Sequence, residues 1–442
     1  MPSSKTSSFY HYENKIISKL NSIVLLSSKP MWIKVNESGL IIIKGLLNYI
    51  DKQDIVGTLC KKLNFSQSKA LEYIDNIQCE LTKSGFFQST NNYIRKPFFS
   101  DLYLHITRKC NLACKQCYLS SSPLVKDEMP LHVIKKALNE FIKGGGKNLT
   151  LSGGEPLLHP KLQEIIKHSS EKLNIQVLTN ATLLDKKWVT FFKKHNISIQ
   201  ISLDGSNEKI HDKIRSKGSY KKVIKAIDIL KEIGMLKNLT IATTVMKDNI
   251  DDLLRIINFV EKNKIPQLRF LPLRVVGKAC KEKNFLTTSD YHSFFNLVEG
   301  LNKTQKKTIK ISCGISGLLF KITPQISNDA FWCPLGKKLV IDINGDVYPC
   351  VLLMNKDFLL GNIHKDTLSK TNNSEVMNKS IFALQNRTKK IKKCQACHWQ
   401  NLCQAGCMGE ALEASKTVWA EDKFCAYKKI AYKKAFDSIL EE

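Results

Sequence analysis

LYLHITRKCNLACKQCYLSSSP, Leu102–Pro123, sets a short strand-like run directly against three cysteines. Cys110, Cys114 and Cys117 fall within eight residues, spaced C-x3-C-x2-C. Outward from that strand, to about Pro272, the chain alternates strand and helix. LYLHIT, NLTLS, IQVLT, ISIQISL, LTIATTV and LRFLPL read as strands. PLHVIKKALNEFIKGGG, PKLQEIIKHSSEKL, DKKWVTFFKKH, YKKVIKAIDILKEIG and IDDLLRIINFVEKN read as helices between them, the first starting at Pro and ending in glycines. Repeated β/α units imply a parallel sheet with right-handed crossovers. Six strands suit a partial (β/α)6 TIM barrel better than a closed eight-stranded one.

The chain has 442 residues, which predicts two or three domains. Hydrophobic residues make up 43%, too many for a disordered chain. No apolar run approaches the roughly 20 residues of a membrane span. MPSSKTSSFYHYENK lacks the apolar core of a signal peptide, so a cytoplasmic location is expected. In a reducing compartment, clustered members of the 14 cysteines point to metal or redox chemistry rather than disulfides. Cys60, Cys79 and Cys280 stand alone and are expected to be small buried hydrophobes. The net charge of +28 raises nucleic acid as a partner. Only seven of the 68 basic residues are Arg, however, and the lysines are scattered over helices. Sequence-specific nucleic-acid binding is therefore disfavoured and an acidic peptide partner preferred.

Two further segments flank the barrel. In residues 1–92, MWIKVNESGLIIIKGLL reads as a strand, a turn at Glu37–Gly39 and a mixed apolar run. DIVGTLCKKLNF and SQSKALEYIDNIQCELTKSGFF read as amphipathic helices, the second with Ser66 as N-cap and Gly85 as its stop. This is a small module of winged-helix character, followed by a linker, STNNYIRKPF. The barrel is expected over 100–305. Residues 311–442 show little periodicity and many cysteines, the mark of a segment held by metal rather than by a large core.

The unusual residues of the barrel fall at strand C-termini, where β/α barrels carry their chemistry. The cysteine loop follows the first strand. GGEP (Gly153, Gly154, Glu155, Pro156) follows the second, Asn180 the third and Asp204 the fourth. The glycines are expected to let backbone approach a ligand closely, and Glu155 to accept hydrogen bonds from an ammonium. Three cysteines cannot close a tetrahedral zinc site. They can hold three irons of a [4Fe–4S] cluster and leave the fourth open.

CNLACKQC with SGGEP on such a barrel resembles the radical S-adenosylmethionine (SAM) enzymes. The resemblance implies that Cys110, Cys114 and Cys117 bind the cluster that cleaves SAM to a 5′-deoxyadenosyl radical. It implies that Gly153, Gly154 and Glu155 hold the methionine amine, with Ser202, Asp204 and Arg215 as weaker SAM contacts. The family commonly has an aromatic residue before the third cysteine. Here it is Gln116, whose adenine contact would be made largely by backbone, with Tyr118 a candidate for the ring.

At the C-terminal end, CPLGKKLVIDINGDVYPC and CQACHWQNLCQAGC, followed by Cys425, look like the seven-cysteine SPASM domain. By that resemblance Cys394, Cys397, Cys403 and Cys425 ligate one auxiliary [4Fe–4S] cluster. Cys333, Cys350 and Cys407 ligate the other, with Cys313 either its fourth ligand or a structural thiol. The zinc alternative fills one site and leaves three cysteines over.

The N-terminal segment resembles the RiPP recognition element, similar to the pyrroloquinoline-quinone chaperone, which binds the leader of a ribosomal precursor peptide as an added strand. The three-part order resembles peptide-modifying radical SAM–SPASM maturases, most nearly sactionine maturases of the subtilosin type, from bacteriocin biosynthesis. It implies an oxidoreductase that joins cysteine sulfur to an α-carbon. It also implies SAM, three [4Fe–4S] clusters, a precursor peptide with its leader, and an external reductant of flavodoxin or ferredoxin type. The alternatives are a carbon–carbon crosslinking maturase such as Lys to Trp, a sulfatase maturase and, from another class, a zinc- or DNA-binding protein. Sulfatase maturases place Asp after the cysteine matching Cys350, where this chain has Val351. No side chain is assigned as catalytic base.

Overall fold

Three short strands open the structure, and the residue patterns above anticipate only the last of them. β1 (Lys15–Lys19), β2 (Ser22–Leu26) and β3 (Trp32–Val35) form an antiparallel sheet in chain order. The computed structural model describes residues 15–19, 22–26, 32–84, 99–281, 285–287, 289–291, 293–294, 296, 309–313 and 333–441. The expected helix stop at Gly85 and the linker of residues 89–98 lie outside them. Helices α1 (Glu37–Leu47), α2 (Lys52–Leu63) and α3 (Gln67–Ser84) follow the sheet.

The expected turn at Glu37–Gly39 is instead the first turn of α1. Asn36 Oδ1 accepts the Gly39 N–H at 2.9 Å and Glu37 faces the positive helix end, so the cap overrides the glycine and the β-branched run. Ser66 does cap α3, its Oγ accepting the Lys69 N–H at 3.3 Å. Ile42, Ile55, Val56, Leu59, Ala70 and Ile74 bury together between the helices. The lone cysteines depart from expectation. Cys60 is only half-buried against this cluster, while Cys79 and Cys280 are exposed. Cys79 falls off the buried stripe of α3, which runs through Ala70, Ile74 and Leu81.

The central unit alternates as expected: β4 (Asp101–Thr107), α4 (Leu131–Lys143), β5 (Asn148–Gly153), α5 (Leu162–Ser169), β6 (Asn174–Thr179), α6 (Lys186–Lys194), β7 (Ser198–Ser202), α7 (Glu208–Ile214), α8 (Ser219–Glu232), β8 (Leu239–Val245), α9 (Leu253–Lys262) and β9 (Gln267–Pro272). Neighbouring strands pair in parallel in chain order, the strand order of a partial TIM barrel. Leu102, Leu104 and Ile106 of β4 join the core with Val133, Ile134, Ala137 and Phe141 of α4. Alternate positions Tyr103, His105 and Thr107 take the other face. The short helix α7, not anticipated, carries Arg215 at its C-cap.

The sheet does not stop at the six strands. β10 (Lys310–Cys313) pairs in parallel with β9, and β11 (Lys338–Ile341) in parallel with β4. β12 (Asp346–Tyr348) and β13 (Gly361–Asn362) add antiparallel strands, giving ten in the order β10-β9-β8-β7-β6-β5-β4-β11-β12-β13. The C-terminal segment, expected to lack periodicity, contains α10 (Glu375–Lys390), α11 (Met408–Ser415) and α12 (Cys425–Glu441). Ser374 caps α10 by accepting the Met377 N–H at 3.2 Å. Among the described residues, no helix is long and apolar enough to cross a membrane.

One aromatic chain ties the two ends together. Trp32 of β3 meets Phe436 of α12 edge-on at 5.4 Å, and Phe436 stacks on Trp399 at 5.1 Å. Trp399 stacks in turn on Tyr432 at 5.6 Å. Phe436 is wholly buried between them. Phe436→Ala is expected to destabilise this joint by about 3–5 kcal/mol, read as a lower guanidinium midpoint by tryptophan fluorescence.

Candidate active site

The cysteine loop is shaped by its own backbone. The N–H groups of Leu112 and Ser121 donate to the Sγ atoms of Cys110 and Cys117, at 3.4 and 3.3 Å. Burial, and less strongly the neighbouring thiols, pushes the Cys110 thiol up to about 12. Burial raises Cys114 as well, opposed by the positive charge of Arg215. Thiols held neutral this way ionise only when a cationic group replaces the proton, which is the behaviour of a metal or cluster donor set.

The glycines of GGEP serve this loop rather than open space. Gly153 has φ of +143°, and a Cβ there would run into the Thr107 carbonyl. A Cβ on Gly154 would strike the carbonyls of Lys109 and Arg108. The N–H of Gly154 donates to Thr107 O at 2.6 Å and that of Glu155 to Lys109 O at 2.9 Å. The expected close approach is therefore to the backbone that delivers Cys110, and no ligand contact is needed to explain it.

Glu155 is fully buried and joins two strand ends. Its carboxylate accepts from Thr179 Oγ1 (2.7 Å), Asn180 N–H (2.8 Å) and Leu157 N–H (3.2 Å). Burial outweighs these bonds and lifts its carboxyl to about 7. Asn180 Nδ2 reaches Asn111 Oδ1 at 3.0 Å and Cys110 Sγ at 3.8 Å, linking the third loop to the first. Asp204, also fully buried, gathers two of the other expected residues. Its Oδ2 accepts from Gln116 Nε2 at 2.8 Å and Arg215 Nε at 2.7 Å, and its Oδ1 from the Thr244 N–H at 2.7 Å. Gln116 Oε1 is buried without a partner among the described residues. Ser202 closes β7, partly buried, opposite Ala242.

His105, Tyr118 and Arg274 form a second cluster, only Tyr118 of which sequence reasoning singled out. His105 Nε2 pairs with Tyr118 OH at 2.9 Å, and Arg274 lies 5.6 Å over the Tyr118 ring. Burial, assisted by Arg274, lowers His105 to about 3, so it stays neutral. Arg274 Nη1 also donates to Val351 O at 2.8 Å, beside Cys350. The signal in the sequence was a polar histidine inside a buried strand.

The C-terminal cysteines gather in two sets. Cys394, Cys397, Cys403 and Cys425 line one cavity, alongside Trp399, Tyr432 and Lys428. Burial pushes Cys394 up to about 11 and Cys403 to about 12. Cys407 is raised by burial and then by the charge of Cys350, Glu410 and Cys333. Among the described residues, no three His, Cys, Asp or Glu close on a single-ion site. Four thiols facing one cavity are a donor set that a [4Fe–4S] cluster or a tetrahedral zinc can use. Cys313 ends β10, opposite Phe270 in β9; its side chain is not among those described. Gly154→Ala is expected to displace the Cys110 loop, so that the reconstituted variant holds about one cluster's iron fewer than the parent by iron and acid-labile sulfide assay.

The comparisons with known proteins agree with this geometry. The radical SAM superfamily model matches residues 104–260, and the iron–sulfur cluster-binding SPASM domain matches residues 333–398. The cysteine-type anaerobic sulfatase-maturating enzyme of Clostridium novyi (strain NT) is 28% identical over 67% of this chain and 84% of its own length. The antilisterial bacteriocin subtilosin biosynthesis protein AlbA of Bacillus subtilis (strain 168) is 27% identical over 80% of this chain and 76% of its own. The crystal structure of Streptococcus suis SuiB bound to S-adenosylmethionine superposes with a TM-score of 0.62 at 18% identity, covering 93% of this chain and 98% of that one, a likeness of fold. The chain is a radical SAM superfamily enzyme, and its matched relatives include maturases.

Proposed function

We propose that this enzyme modifies a ribosomally made precursor peptide, joining a cysteine sulfur to the α-carbon of another residue. The observation that carries this reading is the separate three-strand, three-helix module ahead of the barrel, seated through Trp32 on the helix that begins at Cys425. A small module with an antiparallel sheet suits a leader peptide added as a further strand. Its resemblance to a winged-helix recognition element belongs to this proposal. The SuiB structure has also been described bound to the precursor peptide SuiA.

When bound, a cluster on Cys110, Cys114 and Cys117 together with SAM supplies one-electron chemistry that withdraws a hydrogen from the peptide. The chain's own groups hold and orient. Glu155 is set to accept the methionine ammonium of SAM, behind a loop fixed by Gly153 and Gly154. Gln116 and Arg215 are locked by Asp204, so any bonds they would make to SAM would start from fixed side chains. Cys394, Cys397, Cys403 and Cys425 hold one auxiliary cluster, and Cys333, Cys350 and Cys407 the other. Arg274 reaches from the end of β9 to Val351, so the strand beside β10 approaches Cys350. Cys313, at the end of β10, is the candidate fourth ligand in this proposal. An external flavodoxin- or ferredoxin-type protein supplies electrons. The low Arg content leaves nucleic acid without a role, and a cytoplasmic setting suits oxygen-sensitive clusters.

Sulfatase maturation is the second reading, favoured by the Clostridium novyi relative. Val351 stands against it, because an aliphatic side chain cannot take the proton that an aspartate at that position would accept.

Two measurements test the proposal. Co-expression with a precursor peptide and fragmentation mass spectrometry should show a loss of two hydrogens per link. The link should vanish when the core-peptide cysteine becomes Ala. A link that survives that change indicates a carbon–carbon crosslink, and modification of a sulfatase peptide alone indicates the second reading. Anaerobic calorimetry of SAM binding should show affinity falling as pH drops below about 7, because protonated Glu155 no longer accepts the ammonium. The limiting slope is about tenfold per pH unit. Glu155→Gln should bind SAM weakly and without that pH dependence.

A further inference from the structure

Two cations are buried between the two sets of auxiliary cysteines. Arg387 is wholly buried and donates to three main-chain carbonyls: Val418 (2.7 Å), Gly406 (2.5 Å) and Ala420 (2.8 Å). Lys428 is 2% exposed and ion-paired to Asp422, itself 2% exposed. Lys428 also lines the cavity of Cys394, Cys397, Cys403 and Cys425. Its charge is felt at Cys403 in the first set and Cys407 in the second. Arg387 stands in the same relation, within electrostatic reach of Cys394 and Cys403 on one side and Cys407 on the other.

The chain between the sets explains how one group reaches both. From Cys403 to Cys407 the backbone passes through three successive left-handed residues, Gln404 (φ +52°), Ala405 (+61°) and Gly406 (+71°). That coil is costly for the two non-glycine residues and needs outside support. Arg387 supplies it at the Gly406 carbonyl, and Asp422 at the Cys407 N–H, which donates to it at 3.0 Å. A side chain at 406 would collide with the Asp422 carboxylate. Arg387 and Asp422 therefore hold the link, and Lys428, paired to Asp422, lines the cavity of the first set.

Arg387 and Lys428 face one buried aspartate at this link, while the neighbouring carboxylates Glu410 and Glu413 are taken up by Lys423. Cysteine thiolates that ligate metal add further negative charge, which cations held this close would favour. We propose that Arg387, Lys428 and Asp422 are positioning residues that form one fixed charge bridge, shared by both auxiliary clusters, which sets their reduction potentials together. This rests on the auxiliary ligand sets proposed above. A reduced cluster carries one more negative charge than an oxidised one. A nearby cation therefore favours reduction and a nearby carboxylate opposes it, strongly so in a buried site.

The test is a potentiometric titration of the reconstituted full chain, followed by electron paramagnetic resonance. Lys428→Met should lower both auxiliary potentials, each by about tenfold in the reduction equilibrium, or about 59 mV for one electron. Asp422→Asn, close in shape, should raise both. The double variant should return towards the parent, Lys428→Arg should match it, and the Cys110–Cys117 cluster should not move. Opposite-signed shifts in both auxiliary couples support the bridge, because general loosening would move the two variants the same way. Shifts of one sign, or confined to one cluster, overturn it. If Lys428→Met does not load, Asp422→Asn decides by its sign alone. A parent protein without two auxiliary clusters overturns the ligand sets and the bridge together, and iron and sulfide per chain show that before any variant is made.

Discussion

The parallel ladder between β4 and β11 is the contact on which the rest is hung. β4 ends in the loop of Cys110, Cys114 and Cys117, and β11 leads through a four-residue turn into β12 and then Cys350. Main-chain bonds from Lys338 opposite Asp101 to Ile341 opposite Leu104 fix the register of one cysteine set against the other. A slip by one residue would turn every side chain of β11 to the wrong face. The separation between the two cysteine sets is thus set by backbone geometry rather than by flexible side chains. Arg274 adds a cross-brace, lying over Tyr118 next to Cys117 and bonded to Val351 next to Cys350.

Electrostatics divides the molecule sharply. The surface is dominated by solvated lysines in weak ion pairs, such as Lys186 with Glu232 and Lys379 with Glu375. The interior holds a handful of charges with defined partners: Glu155 between Thr179 and Asn180, Asp204 between Gln116 and Arg215, and Asp422 with Lys428. The formal charge of +28 is therefore a poor guide to what the protein does. The informative charges are the few that have been taken out of water, since each must be matched by geometry.

Much of this was legible in the residues, for physical reasons. The β/α alternation showed because parallel strands buried on both faces read as short apolar runs between amphipathic helices. The cysteine spacings showed because metal-site donors recur at short intervals along the chain. What stayed hidden was long-range or set by capping. β1 and β2 carry no turn signature strong enough to mark them as a sheet. Asn36 converts a glycine-containing, β-branched run into α1 through one hydrogen bond. The glycines of GGEP announce close approach, but only the fold shows that the approached group is the Lys109 carbonyl. Arg387 looks like one more basic residue in RTKKIKK, and its burial follows from the coil at Gln404–Gly406 that no local pattern reveals.

The stack of Trp32 on Phe436, Trp399 and Tyr432 joins the first sheet of the chain to its last helix. During synthesis the N-terminal module leaves the ribosome hundreds of residues before α12 exists. Its sheet therefore waits with Trp32 uncovered until α12 has been made. Contacts of such long sequence separation form late and hold the closing step of folding. The inner end of the same stack lines the cavity of Cys394, Cys397, Cys403 and Cys425, so the last seam to close lies against this cysteine set. Closure of the seam and enclosure of these four thiols would then be a single event.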